Sequence, residues 1–371
     1  MKLWKKLLFS HLSLLFISMA QAEHSIPLEE DKTPYQTKLM WSEISIPWGM
    51  VQLPNGQMLA TERAGKLWLL TEKQPSIEIT GLPPIHNNGQ GGLLDIALHP
   101  DFAKNQLIFF TYASESDKGS NTALMQAKLN LQKNQLTESK RLYQADGSST
   151  RGNHYGGRIA LTDQYIYFSI GDRGQRDKNP QNLSLDGGKI YRLNLDGSIP
   201  TSNPFYRQDN AKKAIYSYGH RNPQGLISLP AQNQIWSHEH GPRGGDEVNL
   251  IESGNNYGWP IIGYGTNYIG TDYTDITEKE GMEQPKLYWD PSIAPSGMAY
   301  INSDKYPQWK NKILLGSMKF GYLVQLEIKN KKVIKQTKIL NGIGRARNVI
   351  QGNDGYIYVG VDGKGILRVM P

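Results

Sequence analysis

Six stretches of this chain repeat one pattern, and few folds accommodate a strand-forming unit at so long a period. Each stretch opens on a small or polar residue, runs into an apolar strand, turns, and gives a second strand ending in glycine or a polar cluster. They begin near Trp48, Leu93, Gly157, Asn222, Pro295 and Arg347; the first reads PWGMVQLPNGQMLATERAGKLWLL and the last ARNVIQGNDGYIYVGVDGKGILRVM. The starts lie 45, 64, 65, 73 and 52 residues apart. Such spacing is too long for a helical solenoid and suits four-stranded sheets joined by loops of variable length. It also differs from the short, even strand spacing of a pair of β-sandwiches, the competing arrangement. The repeat predicts an all-β fold, a six-bladed β-propeller of four-stranded antiparallel blades.

Local signals agree. Met58–Thr61, Lys66–Leu70, Leu107–Tyr112, Tyr165–Ile170, Ile313–Ser317 and Tyr356–Val361 are rich in β-branched, aromatic and other apolar residues, bounded by Gly, Asn, Asp or Pro. Pro54-Asn55-Gly56 and Asn353-Asp354-Gly355 are turn sequences, because Asn and Gly tolerate the positive φ of tight hairpins. The basic run Lys329–Lys338 alternates with apolar residues, as a solvated strand or hairpin does. No Pro-, Ser- or charge-rich linker interrupts the chain, so residues 23–371 read as one domain.

The first 22 residues read as a cleaved secretory signal. Met1–Lys6 carries three lysines, Leu7–Ala20 is mostly apolar, and Ala20-Gln21-Ala22 supplies the small residues of a cleavage site. The apolar run is shorter than the roughly 20 residues that span a bilayer, and no later stretch is long and apolar enough. The mature chain is therefore read as exported, periplasmic in a Gram-negative source, without a membrane span. The formal charge is +7, of which the leader lysines hold three, leaving about +4. That is mild, and no basic face with reading elements for nucleic acid is evident. The chain has no cysteine, which removes disulfides, thiolate metal sites and a cysteine nucleophile. Histidine, carboxylates and backbone oxygens remain as ligands, a set that suits a hard cation such as calcium better than zinc.

In a propeller the loops of several blades converge at one end of the channel, so chemistry-bearing loops should be scattered along the sequence. Seven such segments are present. His86–Asp95 (HNNGQGGLLD) sets Gln90 between glycines that permit close approach of a ligand. Gly152–Arg158 (GNHYGGR) carries His154, whose neutral imidazole could act as a general base. Gly171–Gln175 (GDRGQ) places Asp172 and Arg173 at a blade end, which also reads as a hairpin turn with a charge pair. Tyr218–Gly225 (YGHRNPQG) offers the guanidinium fork of Arg221 and the amide of Asn222. His238–Trp259 contains Gly241-Pro242, which can expose carbonyls, with Asp246 and Glu247 beside it. Lys319 and the pair Arg345 and Arg347 are cations; if they face one cavity they repel unless a polyanion is bound, and otherwise they are unrelated surface charges.

The ordered set GQGGLLD…HPDF, HYGGR, GD-x-G, HRNPQG, EHGP…DE-N, NYGWP, SGM and R-x-RN runs over nearly all of residues 23–371. It resembles the glucose/sorbosone dehydrogenase family, and within it the bacterial aldose sugar dehydrogenases. The resemblance implies a six-bladed propeller that binds PQQ, a tricarboxylate quinone, together with Ca2+, and that oxidises the anomeric carbon of aldoses to lactones. It implies His154 as the base that takes the C1 hydroxyl proton while hydride goes to the quinone, with Arg221 and Gln90 beside it. Gln90, Arg221, Asn222, Lys319, Arg345 and Arg347 would hold the cofactor. The carbonyls of Gly241 and Pro242 would bind calcium beside it, with Asp246 nearby, and Glu247 and the Tyr257 carbonyl a second, structural calcium. The electron acceptor would be external, a quinone or small redox protein, and the chain a monomer or homodimer. Asn153, Arg173 and His240 depart from the glucose dehydrogenase branch, which carries Asp, Gln and Gln there; Asn153 and His240 fit the aldose branch. An Asn at position 153 cannot stabilise an imidazolium as a carboxylate would. Two other classes remain: a calcium-dependent sugar lactonase on the same fold, and a non-catalytic propeller that binds sugar or protein.

Overall fold

The computed structural model describes residues 26–371 except Asp117 and Ser148; the signal segment 1–22 lies outside the described residues. Six sheets of antiparallel strands stand around a ring. Their innermost strands are Pro47–Gln52, Leu93–Leu98, Ile159–Leu161, Pro223–Leu229, Pro295–Ile301 and Ala346–Gln351. Every blade start read from the repeat falls within two residues of one of these. Each inner strand packs beside the next, and the sixth returns to the first. Helix is confined to one turn at Phe102–Asn105 and a 3-10 turn at Pro230–Gln232 among the described residues.

The core is divided among the six gaps between blades. Strands alternate their side chains between two faces, so one strand serves two gaps. In blade 1, Leu59 packs toward blade 2 with Leu93, Ile96 and Phe110. Its neighbours Met58 and Ala60 pack toward blade 6 with Tyr358 and Ile366. Similar buried clusters fill the other gaps.

The ring is closed by the two ends of the chain. Thr37–Trp41 forms the outer strand of blade 6, antiparallel to Gly365–Val369, with Thr37 opposite Val369 and Leu39 opposite Leu367. A further short strand, Leu28–Glu30, adds in parallel to the outer strand Lys332–Ile339 of blade 5. There Glu29 meets Lys335 at 2.8 Å and Glu30 meets Lys338 at 2.9 Å. The basic run is thus a solvated hairpin, as its alternation implied, and its charge is partly met by this strand.

One side chain touches every other blade. Arg158 enters the channel from blade 3, fully buried. It donates to the carbonyls of Trp48 (3.0 Å), Gln224 (2.8 Å) and Arg347 (3.1 Å), and to the Ser296 hydroxyl (3.3 Å). Asp95 of blade 2 lies 3.6 Å away. Its guanidinium also lies 3.8 Å from the centre of a Trp48 ring. Burial pulls its pKa down to about 10. These contacts place the starts of the inner strands, and therefore the loops that precede them, around one end of the channel.

Candidate active site at one end of the channel

The loops leading into the inner strands bring together most of the residues singled out above. His154 follows Gly152-Asn153 in GNHYGGR and adopts a φ of 58°, a left-handed conformation that few non-glycine residues hold without support. Its backbone N–H donates to Gln90 Oε1 at 2.9 Å. Its imidazole is buried, with Nδ1 2.7 Å from Asp172 Oδ1. Asp172 is itself fixed: Oδ1 accepts from Gly174 N at 2.7 Å and Oδ2 from Trp259 Nε1 at 2.8 Å. Burial lowers the His154 pKa, and the nearby Arg221 and Arg173 add to this, against the raising effect of Asp172. Burial opposes ionisation of Asp172, but the bond and charge of His154, then Arg221 and Trp259, carry its pKa below the ordinary carboxylate value. The pair is a neutral imidazole oriented by a carboxylate, with Nε2 left for other work. The carboxylate comes from GDRGQ, so Asn153 does not leave the base without acidic support, contrary to what that position alone suggested.

His154, Asp172, Arg221 and Trp259 line a cavity of about 420 Å³ open to solvent. A second cavity, about 240 Å³, lies on the channel axis against Trp48, Arg63, Gln90, Asn222, His240, Arg345 and Arg347. Arg221 stands between the first cavity and the calcium candidates; its backbone N–H binds Glu239 Oε2 at 2.5 Å and its Nη1 the carbonyl of His240 at 3.1 Å. The side-chain oxygen of Asn222 accepts from Gly156 N and Gln224 Nε2, leaving its amide N–H groups for the axial cavity. His240 is held by the Pro295 carbonyl at 2.8 Å, and burial lowers its pKa to about 3.

The cations are not without a counter-charge. Arg345 and Arg347 share a counter-ion that sequence reading missed, Asp362. Arg347 meets it with Nε at 3.1 Å and Nη2 at 2.6 Å, and Arg345 with Nε at 3.0 Å. Their repulsion is therefore reduced without any ligand. Lys319 is exposed, stacked 5.0 Å over the ring of Phe320, and is not part of the cavity lining, although Met318 beside it is. A further cation joins the two arginines. Arg63, at the end of the second strand of blade 1, enters the cavity; its Nε is buried without an acceptor among the described residues, as is that of Arg221. Three arginines against one aspartate leave the cavity positive.

Gly241, Pro242, Glu247, Tyr257 and Glu239 surround a small cavity behind Arg221. Neither the Gly241 nor the Pro242 carbonyl accepts a hydrogen bond among the described residues. Asp246 is turned away to cap backbone, accepting from Gly241 N at 2.9 Å and Ala294 N at 2.8 Å. Burial raises its pKa to about 6. Glu247 sits opposite Glu239 in the antiparallel ladder. Burial, then the charge of Glu239, pushes Glu247 up to about 8. A buried and a half-buried acid side by side, with free carbonyls nearby, form a site that a hard cation would relieve. Glu239 was not anticipated; it reads as an ordinary strand residue in HEHGP.

Comparison with known proteins identifies the family. The family description "Glucose / Sorbosone dehydrogenase" matches residues 44–368. The chain is 38% identical over 344 residues to aldose sugar dehydrogenase YliI of Escherichia coli K12, covering 90% of this chain and 92% of that one. The apo form of the soluble aldose sugar dehydrogenase from Escherichia coli superposes with a TM-score of 0.87 at 37% identity, over 91% of this chain and 99% of the other. The PQQ-bound aldose sugar dehydrogenase of Streptomyces coelicolor gives 0.73 at 25% identity, over 93% and 99%. The chain belongs to the glucose/sorbosone dehydrogenase family, oxidoreductases that act on the CH–OH group of sugars.

Proposed function

We propose that this chain oxidises the anomeric carbon of aldoses to lactones with PQQ as its redox group and calcium as its metal. The observation that carries the reading is the buried His154–Asp172 pair opening on one cavity while a positive cavity lies beside it on the channel axis. The residues present fit a small polyanion. Arg63 and Arg221 keep buried donors without acceptors, and Arg345 and Arg347 are only partly neutralised by Asp362. Arg63, Gln90, Arg221, Asn222, Arg345 and Arg347 would hold the cofactor, with Lys319 at the rim. Gly241 and Pro242 would ligate calcium beside it, and Glu247, Tyr257 and Glu239 a structural calcium. When bound, the quinone supplies a two-electron acceptor for the hydride of the sugar C1–H.

The chain's own part is proton handling and orientation. His154 Nε2 takes the proton of the C1 hydroxyl. Asp172 fixes the tautomer through Nδ1 and stabilises the imidazolium that forms. Arg221 offers a fixed donor where negative charge develops. Gln90 holds the backbone of the base. Export by the 1–22 leader and an external quinone or small redox protein as acceptor belong to the same proposal.

A calcium-dependent lactonase would need carboxylates around an open metal position facing the substrate, whereas the axial cavity carries Arg63, Arg345 and Arg347. The test is reconstitution. Purified mature protein should gain dye-reducing activity with aldoses on addition of PQQ and calcium. Absence of any gain across mono- and disaccharides would sink the reading. His154→Ala should abolish turnover while PQQ still binds, and near-normal turnover in that variant would remove His154 as base.

A further inference from the structure

The loop 152–158 that carries His154 belongs to no strand, yet it must hold a histidine in left-handed backbone geometry. Its supports can be traced. Gln90 ties down the His154 N–H with its side chain and the Gly152 carbonyl with its own N–H, at 2.9 and 2.6 Å. Asn222 and Gln224 bind the backbone of Gly156, and Thr122 binds the Tyr155 carbonyl. The residues on either side of the base are held by one further side chain, Arg173. It is fully buried and absent from the lining of the catalytic cavity. Nη1 donates to the Asn153 carbonyl, and Nη2 to the carbonyls of Arg151 at 3.0 Å and Ser120 at 3.2 Å. The guanidinium carbon lies 3.5 Å from the centre of the Tyr155 ring, whose hydroxyl meets Ser120 Oγ at 2.6 Å. A single guanidinium thus grips residues 151, 153 and 155 around the base and anchors them to a strand of blade 2. The charge pair with Asp172 that a simple hairpin turn would give does not form: among the described residues no carboxylate lies within ion-pair distance of Arg173, and its Nε has no acceptor.

We infer that Arg173 is a positioning residue for the reaction, a clamp that holds the imidazole of His154 toward the catalytic cavity. The inference rests on His154 being the base. A planar fork that binds three carbonyls and stacks on an aromatic ring cannot be matched by lysine or glutamine. The position therefore shapes the base loop instead of touching the sugar. The uncompensated charge has a second effect. His154 is faced by Gln90 from the blade 2 loop, Asp172 and Arg173 from blade 3, and Arg221 and His240 from blade 4. His240 is held neutral by burial, so Arg221 and Arg173 are the positive neighbours that oppose protonation of the base.

The experiment compares wild type, H154A, R173Q, R173K and Y155L, each with PQQ and calcium and each as apo-protein. H154A comes first: surviving turnover there defeats the reading of the base and leaves the clamp without an object. Given an inactive H154A, R173Q should lower kcat ten- to hundredfold, with aldose KM and the Kd for PQQ, from fluorescence titration of apo-protein, changed less than threefold. The acid limb of its kcat profile should move to higher pH, and NMR titration of the His154 imidazole in apo-protein should shift the same way. R173K should restore the titration but not kcat. Y155L removes the stacking surface and keeps the charge, so it should lower kcat with the titration unmoved. Unchanged kcat and titration in R173Q overturn the inference, as does a loss of PQQ affinity in step with kcat, which marks a general prop. If R173Q does not fold, wild-type kcat in Y155L overturns it instead.

Discussion

At the scale of single residues, the chemistry depends on how a carboxylate is shared. Asp172 gives one oxygen to His154 and the other to Trp259, so the imidazole is aimed and kept in one tautomer. Asp172→Asn should leave the fold intact and lower kcat by about 10²–10⁴-fold, the range typical of general-base assistance. The sign of the pH effect follows from the neighbours. Asp172 raises the His154 pKa, and the base must be neutral, so removing the carboxylate should move the acid limb of the residual activity to lower pH. A pH–rate profile checks both. Arg347 is the buried member of the axial arginines, and Arg347→Ala should weaken PQQ binding by about 10- to 100-fold, the loss of a charge-assisted pair, before it affects chemistry. Titration of apo-protein with PQQ measures this. His154 and Arg347 were legible because loop chemistry is legible. Asp172 and Asp362 were not assigned their partners because 18 and 15 residues of chain separate them, and the register of the first hairpin in blades 3 and 6 brings them together.

At the scale of elements, strands were read closely and their partners were not. Lys66–Leu70 and Tyr165–Ile170 were found residue for residue, because apolar strand runs end sharply at turn residues. Leu28–Glu30 was missed, since its three residues are all exposed and have no apolar pattern to show. Ladder register decides the chemistry behind Arg221: Glu239 and Glu247 lie on successive strands of blade 4 and stand directly opposite in the sheet. Like charges so placed and buried are costly unless a cation or a proton intervenes. Calcium should therefore raise the thermal midpoint of wild type by about 5 °C at a concentration near 100 times Kd. Glu247→Gln should lose most of that increment. Calorimetry with and without chelator distinguishes the two.

At the scale of the whole molecule, the repeat revealed six blades, but not what locks them to one another. Arg158 does so with one guanidinium, and nothing in the sequence separates it from any other arginine beginning a strand. Arg158→Met leaves Asp95 buried without its partner and strips hydrogen bonds from the carbonyls of Trp48, Gln224 and Arg347. The loss should be about 3–5 kcal/mol, as for breaking a buried ion pair, measured by urea unfolding. Because those carbonyls belong to cavity-lining residues, PQQ affinity should fall in the same variant.

The pairing of Thr37–Trp41 with Gly365–Val369 has a mechanical consequence. Residues 36 and 370 leave this pair at the same end, where Met370 N still binds the Gln36 carbonyl at 2.9 Å. Tension applied through them loads the inter-strand bonds in succession, as a zipper is opened, and never all in parallel. The molecule therefore has a clasp of low rupture force at blade 6, while blades 1 to 4, each made from continuous chain, lie outside the line of pull.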